Sequence, residues 1–412
     1  MNKEVQNVPR VWPLELLALR QLRQNLIIPR YPEVPTEKVP ESCLLLQHPK
    51  FGNVLKKSIK YKKRHEITRM AAFCKRSMDQ TPVDFLVDFG AGVGHLARLL
   101  GYGYGIKVCC LERDKALSQQ ASGHDLRWEN MASKYLSPEE RYHFQRPTHL
   151  VLDLTEKIKP REFLYQIRNA LGGYLSSNDY SFGIIGLHSC GDLGAILMNM
   201  FLACSQAKFI NFVGCCYMKL STRAENGEAI FVGYPLSQFL NFPYFTRQSH
   251  LSYASREISC HTEEVFSQRL LGGNYENLKI HVFRASAEEI FSDRYTWLRN
   301  EGLRSVKYAP GMTFEEYFGK AITHLPMKYD WMYESIDLRT TELQKVDAYL
   351  ANWHSLVIFY TLRLLFAPLI ESIVLYDRIL FLRENDCVVN IKAIFDPFLS
   401  PRNHITSAIK KS

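Results

Sequence analysis

No apolar run follows the opening stretch "MNKEVQNVPRVWP", so a secretory signal of the usual form is not read there. Low-complexity tracts and internal repeats are absent as well, which leaves the composition of an ordinary globular chain. The ten cysteines show no C-x2-C spacing. Two adjacent pairs, Cys109-Cys110 and Cys215-Cys216, each close an apolar, strand-like run, a poor arrangement for a disulfide framework. The expectation is a reduced, intracellular protein of cytoplasm or nucleus. An uninterrupted membrane-length run is also missing. The segment "SLVIFYTLRLLFAPLIESIVLY", Ser355 to Tyr376, is broken by Arg363, Pro368, Glu371 and Ser372. An ionised Arg or Glu inside hydrocarbon costs about 2.5–3.5 kcal/mol even on insertion scales, so the segment reads as buried helix and no stable membrane span is expected.

What is present suits one large or two ordinary domains with a sizeable core: 412 residues, 46% of them hydrophobic and 23% charged. The net charge of +9 is concentrated. Between Lys56 and Arg76 stand nine Lys/Arg against one acid, Glu66. Such a patch suits nucleic acid or another polyanion, and equally a solvated helix face. Up to about residue 80 the chain reads as helical, with a proline-rich interruption at "IPRYPEVPTEKVP". From Val83 short apolar runs alternate with helical periods, which predicts an α/β parallel sheet. Strands are expected at Phe85–Phe89, Gly105–Leu111, His149–Asp153, Phe182–His188, Phe209–Cys216 and Leu278–Ala285, with "GLRSVKY" near Gly302 as an edge. After about residue 325 the pattern reads as helical to the end. The expected division is a basic helical region 1–80, a Rossmann-like domain 81–325 with a long insertion after its fifth strand, and a helical region 326–412.

The stretch "VDFGAGVGHLARLL", Val87 to Leu100, is a strand, a glycine turn and a helix. Its glycines, Gly90, Gly92 and Gly94, permit a tight turn and close approach of backbone N–H groups to a ligand. The dinucleotide fingerprint G-x-G-x-x-G would need a glycine where His95 stands. An acid, Asp88, opens the motif instead. It would repel a pyrophosphate and attract a cationic ammonium and sulfonium, which points to S-adenosylmethionine. Eighteen residues after Gly94, Glu112 is placed to accept ribose hydroxyls. Asp153, at the expected end of the third strand, is a candidate for the adenine amino group or for a loop contact.

Ligands of an open α/β sheet sit beyond the carboxyl ends of its strands. Two clusters fall there: His188, Cys190 and Asp192 in "GLHSCGDLG", and Cys215, Cys216, Tyr217 and Lys219 in "GCCYMKLS". Methyl transfer is an in-line displacement, and an acceptor hydroxyl or protonated nitrogen also needs a base. His188, Asp192 and Tyr217 are the candidates, with a helix-capping network as the alternative for His188 and Asp192. Cys190, Cys215 and Cys216 are expected to line the acceptor pocket. His188 and these cysteines suit zinc by type, but adjacent residues of a strand point to opposite faces. Small apolar packing is therefore the preferred reading for the cysteines, and no metal is expected.

The stretches "KKRHEI", "VDFGAGVGHLARLL", "GLHSCGDL", "VGCCYMKLS", "ASREISCH" and "FDPFLSPRN" together resemble the methyltransferase-like protein 25 family, whose close branch was once named the ribosomal RNA adenine dimethylase domain-containing protein. The resemblance runs from about Trp12 to the C-terminus. It implies a Rossmann-like class I methyltransferase using S-adenosylmethionine, and a chain that begins late relative to longer members. The older branch name suggests adenine dimethylation, yet "HSCGDL" stands where those enzymes carry an Asn-initiated, Pro-aromatic clamp. A more distant likeness is to tRNA 2′-O-methyltransferases, which pair a similar His-x-Cys-Gly element with a Cys-Cys element. Here Asp192 comes earlier than in that group, and its zinc fingers are missing.

The expectation is a methyltransferase with RNA as favoured acceptor, protein as second, and Lys62, Lys63 and Arg64 on phosphate. The KKxHE element, with His65 and Glu66, could instead close over the methionine end of the cofactor. The rival reading is a non-catalytic sensor that binds S-adenosylmethionine and meets a protein partner through its C-terminal helices.

Overall fold

The computed structural model describes residues 12–411 except 34–42, 44, 46–47, 176–178, 223–230, 243–249, 274, 299–302 and 324–336. Pro35 and Pro40 of the proline-rich interruption lie outside the described residues. Seven strands form one sheet in the order β3-β2-β1-β4-β5-β7-β6. They are β1 (Phe85–Phe89), β2 (Val108–Glu112), β3 (Thr148–Val151), β4 (Phe182–Cys190), β5 (Ala207–Cys215), β6 (Cys387–Ala393) and β7 (His404–Lys410). The first five run parallel. β7 lies antiparallel to β5 and to β6. This is the Rossmann-like arrangement expected, with strand order reversing between β1 and β4.

Layering explains why the central strands read as continuous apolar runs. β1 is buried at all five positions. Leu86 and Ile185 face a cluster that includes Met70 and Cys74, from the helix Tyr61–Gln80, and Leu96 and Leu99. Phe85, Val87 and Phe89 face a second cluster with Phe163, Ile167, Leu197 and Phe201. A parallel strand covered by helices on both faces has no polar side to show. Asp88, on the same face as Leu86, is therefore a carboxylate placed in a core position.

The last two strands correct the sequence reading. Residues 385–411 are not helical; they make the β6–β7 hairpin that completes the sheet. The expected sixth strand at Leu278–Ala285 falls largely in a helix, Ile280–Arg294. Over eight residues "LKIHVFRA" alternates like a strand, but Val282, Phe283, Ser286, Ala287, Ile290 and Phe291 are buried on one helical face. Leu303–Tyr308 of "GLRSVKY" joins no ladder, and Gly302 lies outside the described residues.

Domain limits shift accordingly. Residues 1–262 with 366–412 form one compact unit and residues 263–365 another. The boundaries at 80 and 325 are thus replaced by an inserted helical unit between β5 and β6. Its core gathers Phe283, Ile290, Phe291, Phe314, Phe318 and Val346. Trp353–Glu384 is long and apolar enough to cross a membrane, with mean hydropathy 1.8. A turn at residues 365–366 divides it into Trp353–Leu364 and Ala367–Glu384. The second helix buries Glu371, Asp377 and Arg378 within the sheet-bearing unit.

Candidate active site

Each glycine of the turn after β1 has left-handed backbone: φ is 71° at Gly90, 56° at Gly92 and 72° at Gly94. The N–H groups of Gly90 and Ala91 donate to the Leu111 carbonyl at 2.9 and 3.1 Å, fastening the turn to the end of β2. Only glycine adopts this sequence of positive φ without strain. At Gly94 a Cβ would also stand 3.2 Å from His149 Cε1. Gly94→Ala is expected to cost about 1–2 kcal/mol from backbone strain, read as a lower urea midpoint with unchanged slope.

Asp88 is 2% exposed. Among the described residues, no ion pair or hydrogen bond reaches its carboxylate. Burial pushes its pKa up to about 7, the charge of Glu112 adds to this, and Lys63 opposes it. A core carboxylate beside a glycine turn, lacking a cation in contact, is a site built for a cationic group supplied from outside.

Glu112 ends β2 with both oxygens aimed at backbone. Oε2 accepts the Gly92 N–H at 2.9 Å and Oε1 the Asp114 N–H at 3.0 Å. Each carboxylate oxygen has a second lone pair, so the residue holds the turn and still offers two acceptor positions to a ribose diol. Asp153 stands exposed two positions past the end of β3, the strand next to β2. These donors and acceptors fit S-adenosylmethionine: a carboxylate for its ammonium, an acid for its ribose, and glycines for close approach.

Sequence reasoning missed the support beneath this turn. Arg98, 2% exposed, donates from Nε to Asp125 Oδ1 at 2.7 Å and from Nη2 to the Val93 carbonyl. Asp125, fully buried, also meets His149 Nε2 at 2.6 Å. One arginine thus ties the glycine turn to the helix Lys115–Tyr135 and to β3. The only sequence signal was a charge inside the apolar period "HLARLL".

The candidate bases separate in the structure. Tyr217 is corrected: it is buried, its hydroxyl donates to Glu371 Oε1 at 3.4 Å, and the guanidinium groups of Arg378 and Arg402 both lie over its ring. Burial, with Glu371 beside it, pushes its pKa far up, so it is part of the scaffold and not a base. Asp192 is also a clamp. Its Oδ1 accepts the Ser221 N–H at 2.8 Å, and a Cβ at Gly233 would lie 1.8 Å from the same oxygen. It stands at the N-cap of the helix Leu193–Ala203 but its side chain caps no backbone N–H there, so the helix-capping reading is corrected as well. His188 remains partly exposed, with Nε2 3.0 Å from Glu66 Oε2.

Glu66 draws the quoted motifs together. Besides His188 it accepts the Ser400 hydroxyl at 2.6 Å and faces Lys62 at 3.8 Å. Burial opposes its ionised form, but the His188 bond and charge, Ser400 and Lys62 together hold its pKa below the ordinary value. Its neighbour His65 accepts the Asp396 N–H at 3.0 Å, and burial lowers its pKa to about 4. The KKxHE residues His65 and Glu66 therefore grip "FDPFLSPRN" and "HSCGDL". Lys62 and Lys63 stay exposed and Arg64 partly so, at the first turn of the helix Tyr61–Gln80.

The three cysteines converge. Cys190 and Cys215 are register partners on β4 and β5, with sulfurs 3.0 Å apart. Cys216 should have faced away, but it leaves the strand with φ 51° and ψ 50°. Its sulfur comes to 3.4 Å from Cys190 and 3.6 Å from Cys215. The opposite-face argument from strand alternation fails at this one residue, because the strand has already ended.

A family model described as a methyltransferase domain matches residues 62–223, from the exposed basic turn to just past the cysteine cluster. "Probable methyltransferase-like protein 25" of Mus musculus is 27% identical over 237 residues, covering 55% of this chain and 37% of that protein. Its Homo sapiens counterpart is 26% identical over 236 residues with the same coverage. The matched region is thus well under half the length of these relatives. Among solved structures, magnesium protoporphyrin IX methyltransferase from Synechocystis with bound S-adenosylhomocysteine aligns at 11% identity over 86% of this chain and 89% of that one, with TM-score 0.30. Residues 62–223 thus match a methyltransferase domain, carried on a Rossmann-like sheet, and the chain is similar to methyltransferase-like protein 25 over 55% of its length.

Proposed function

We propose that the chain binds S-adenosylmethionine and passes its methyl group to RNA. The observation that carries the reading is Asp88, a buried carboxylate at the mouth of a glycine turn with no cation in contact. Bound there, the cofactor supplies an electrophilic methyl carbon on a sulfonium. The chain's own residues hold it: Asp88 balances the ammonium, Glu112 takes the ribose hydroxyls, and the backbone of Gly90 to Gly94 lets the molecule approach. Asp153 is within the same sheet edge for the adenine. His188 is the remaining candidate base, half-exposed and oriented by Glu66.

RNA is favoured because Lys62, Lys63 and Arg64 are accessible beside this turn; the charge of Lys63 acts on Asp88 itself. The test is incubation with labelled cofactor and fractionated cellular RNA and protein. Transfer to RNA is expected, and transfer only to protein would move the acceptor to that class. Cofactor binding with no labelled acceptor would favour the sensor reading. Three cationic contacts to single-stranded RNA predict a slope of roughly −2 in log affinity against log salt. Replacing Lys62, Lys63 and Arg64 together by alanine should flatten that slope, checked by fluorescence anisotropy across a salt series. An unchanged slope would sink the assignment of this patch to phosphate.

A further inference from the structure

The three sulfurs at the ends of β4 and β5 form a group of a kind that a reduced core does not need. Among the described residues, Cys190, Cys215 and Cys216 are the one set of three potential ligand atoms lying within 4.8 Å of one another. Their separations are 3.0, 3.4 and 3.6 Å. Two backbone departures bring them there. His188 has φ 65° where the β4–β5 register shifts, between Leu187 and Ser189. Cys216 has φ 51°, in the left-handed region that non-glycine residues rarely occupy. Such strain persists only where the surroundings impose it, and it clusters at functional positions. The Gly191 N–H donates to the Cys215 carbonyl at 3.0 Å, and a Cβ at Gly191 would lie 2.7 Å from the Lys219 carbonyl oxygen, so the two strand ends are held closely around the sulfurs.

We propose that Cys190, Cys215 and Cys216 bind a zinc ion through three thiolates, with the fourth coordination position open. An ion about 2.3 Å from each sulfur fits above a triangle of this size. His188 is not among the ligand atoms grouped within 4.8 Å of one another, and its Nε2 is engaged by Glu66. Cys190 is exposed and Cys216 partly so, which leaves a path for the ion and for a fourth ligand. Three protein ligands with one open position is the pattern of reactive, not structural, zinc sites. Cys216 accepts hydrogen bonds from both other thiols, so all three sulfurs point to one place. A site of this kind also accounts for a cluster whose third thiol a disulfide would leave over.

The full chain, reduced and stripped with chelator, is titrated with zinc against a chromophoric competitor, and with cobalt followed by thiolate-to-metal absorption. One ion per chain is expected, with a cobalt spectrum of three thiolates. Cys190→Ser, Cys215→Ser and Cys216→Ser should each weaken binding by more than the roughly 10–100-fold that outer-shell changes produce. Cys260→Ser, outside the triangle, should bind as the unaltered chain does, and circular dichroism checks that each variant is folded. No stoichiometric ion in the folded chain would overturn the proposal, as would equal binding by all three variants. A Cys190–Cys215 disulfide in protein isolated without reductant, persisting under excess zinc, would overturn it too. None of these readouts depends on S-adenosylmethionine, so this site and the cofactor reading stand or fall separately.

Discussion

Asp88→Asn is expected to remove S-adenosylmethionine binding and, at pH 8, to raise the melting temperature of the ligand-free chain. Both follow from one carboxylate. Its pKa is raised to about 7 by burial, with Glu112 adding to it. The ionised form is therefore disfavoured in the fold relative to the unfolded chain. For a raised acid, the fold binds more protons than the unfolded state between about pH 4 and pH 7, so stability falls as pH rises through that window. Asparagine removes the ionisation and should return about 1–3 kcal/mol, less than the full shift because a buried amide carries its own cost. Binding moves the other way. Loss of one member of a desolvated charge pair costs about 2–5 kcal/mol, enough to take calorimetric binding below detection. The unaltered chain should bind more tightly as pH rises through 7, since the ammonium needs the ionised form. A variant that binds normally, or that is destabilised, would show Asp88 to be scaffold.

Glu371→Ala should be the most damaging single change to the fold. Glu371 is 1% exposed. Its oxygens meet Arg30 at 2.5 Å, Arg402 at 3.1 Å and His404 at 3.9 Å, and Tyr217 donates to it. Burial alone would raise its pKa, but Arg402, His404 and Arg30 bring it down to about 2. Removing the acid leaves buried cations uncompensated, at about 3–5 kcal/mol. Because the folded pKa is depressed, its contribution is complete above about pH 4.5 and is lost as pH falls toward 2. Urea unfolding at pH 7 and pH 3 checks both statements. A loss under about 1 kcal/mol at pH 7 would mean that the network does not bear on stability. A loss equal at both pH values would refute the linkage.

The site was legible in the sequence where local chemistry dictates it. Glycines, an opening acid and a second acid eighteen positions on must serve a turn after a strand, wherever that strand lies in the sheet. What local pattern cannot show is which distant group occupies a side chain. Asp192 and Tyr217 look like bases in isolation; Ser221 and Glu371 claim them in the fold. Glu66 is the reverse case, an acid in a basic run whose partners, His188 and Ser400, come from the far side of the sequence. Strands β1, β2, β4 and β5 were found because each is buried on both faces over most of its length; β3 is partly or fully exposed throughout and was found from its apolar run alone. β6 is an edge strand with alternating exposure, and it follows directly on a long helix, so its period was absorbed into the helical one. Cys216 was misplaced because strand alternation holds only within a strand.

The antiparallel pairing of β7 with β5 has a bearing on how this domain is made. The residues matched by the methyltransferase family model end at 223, yet the edge of β5 is covered by residues synthesised after the whole inserted helical unit. Until then, β5 presents an unpaired row of amides and carbonyls ending in Cys215, with Cys216 directly after it. A sheet edge of that kind recruits other strands. The nascent chain must therefore hold a sticky, redox-sensitive border open across the translation of an entire second unit, and the hairpin closes it only when it emerges.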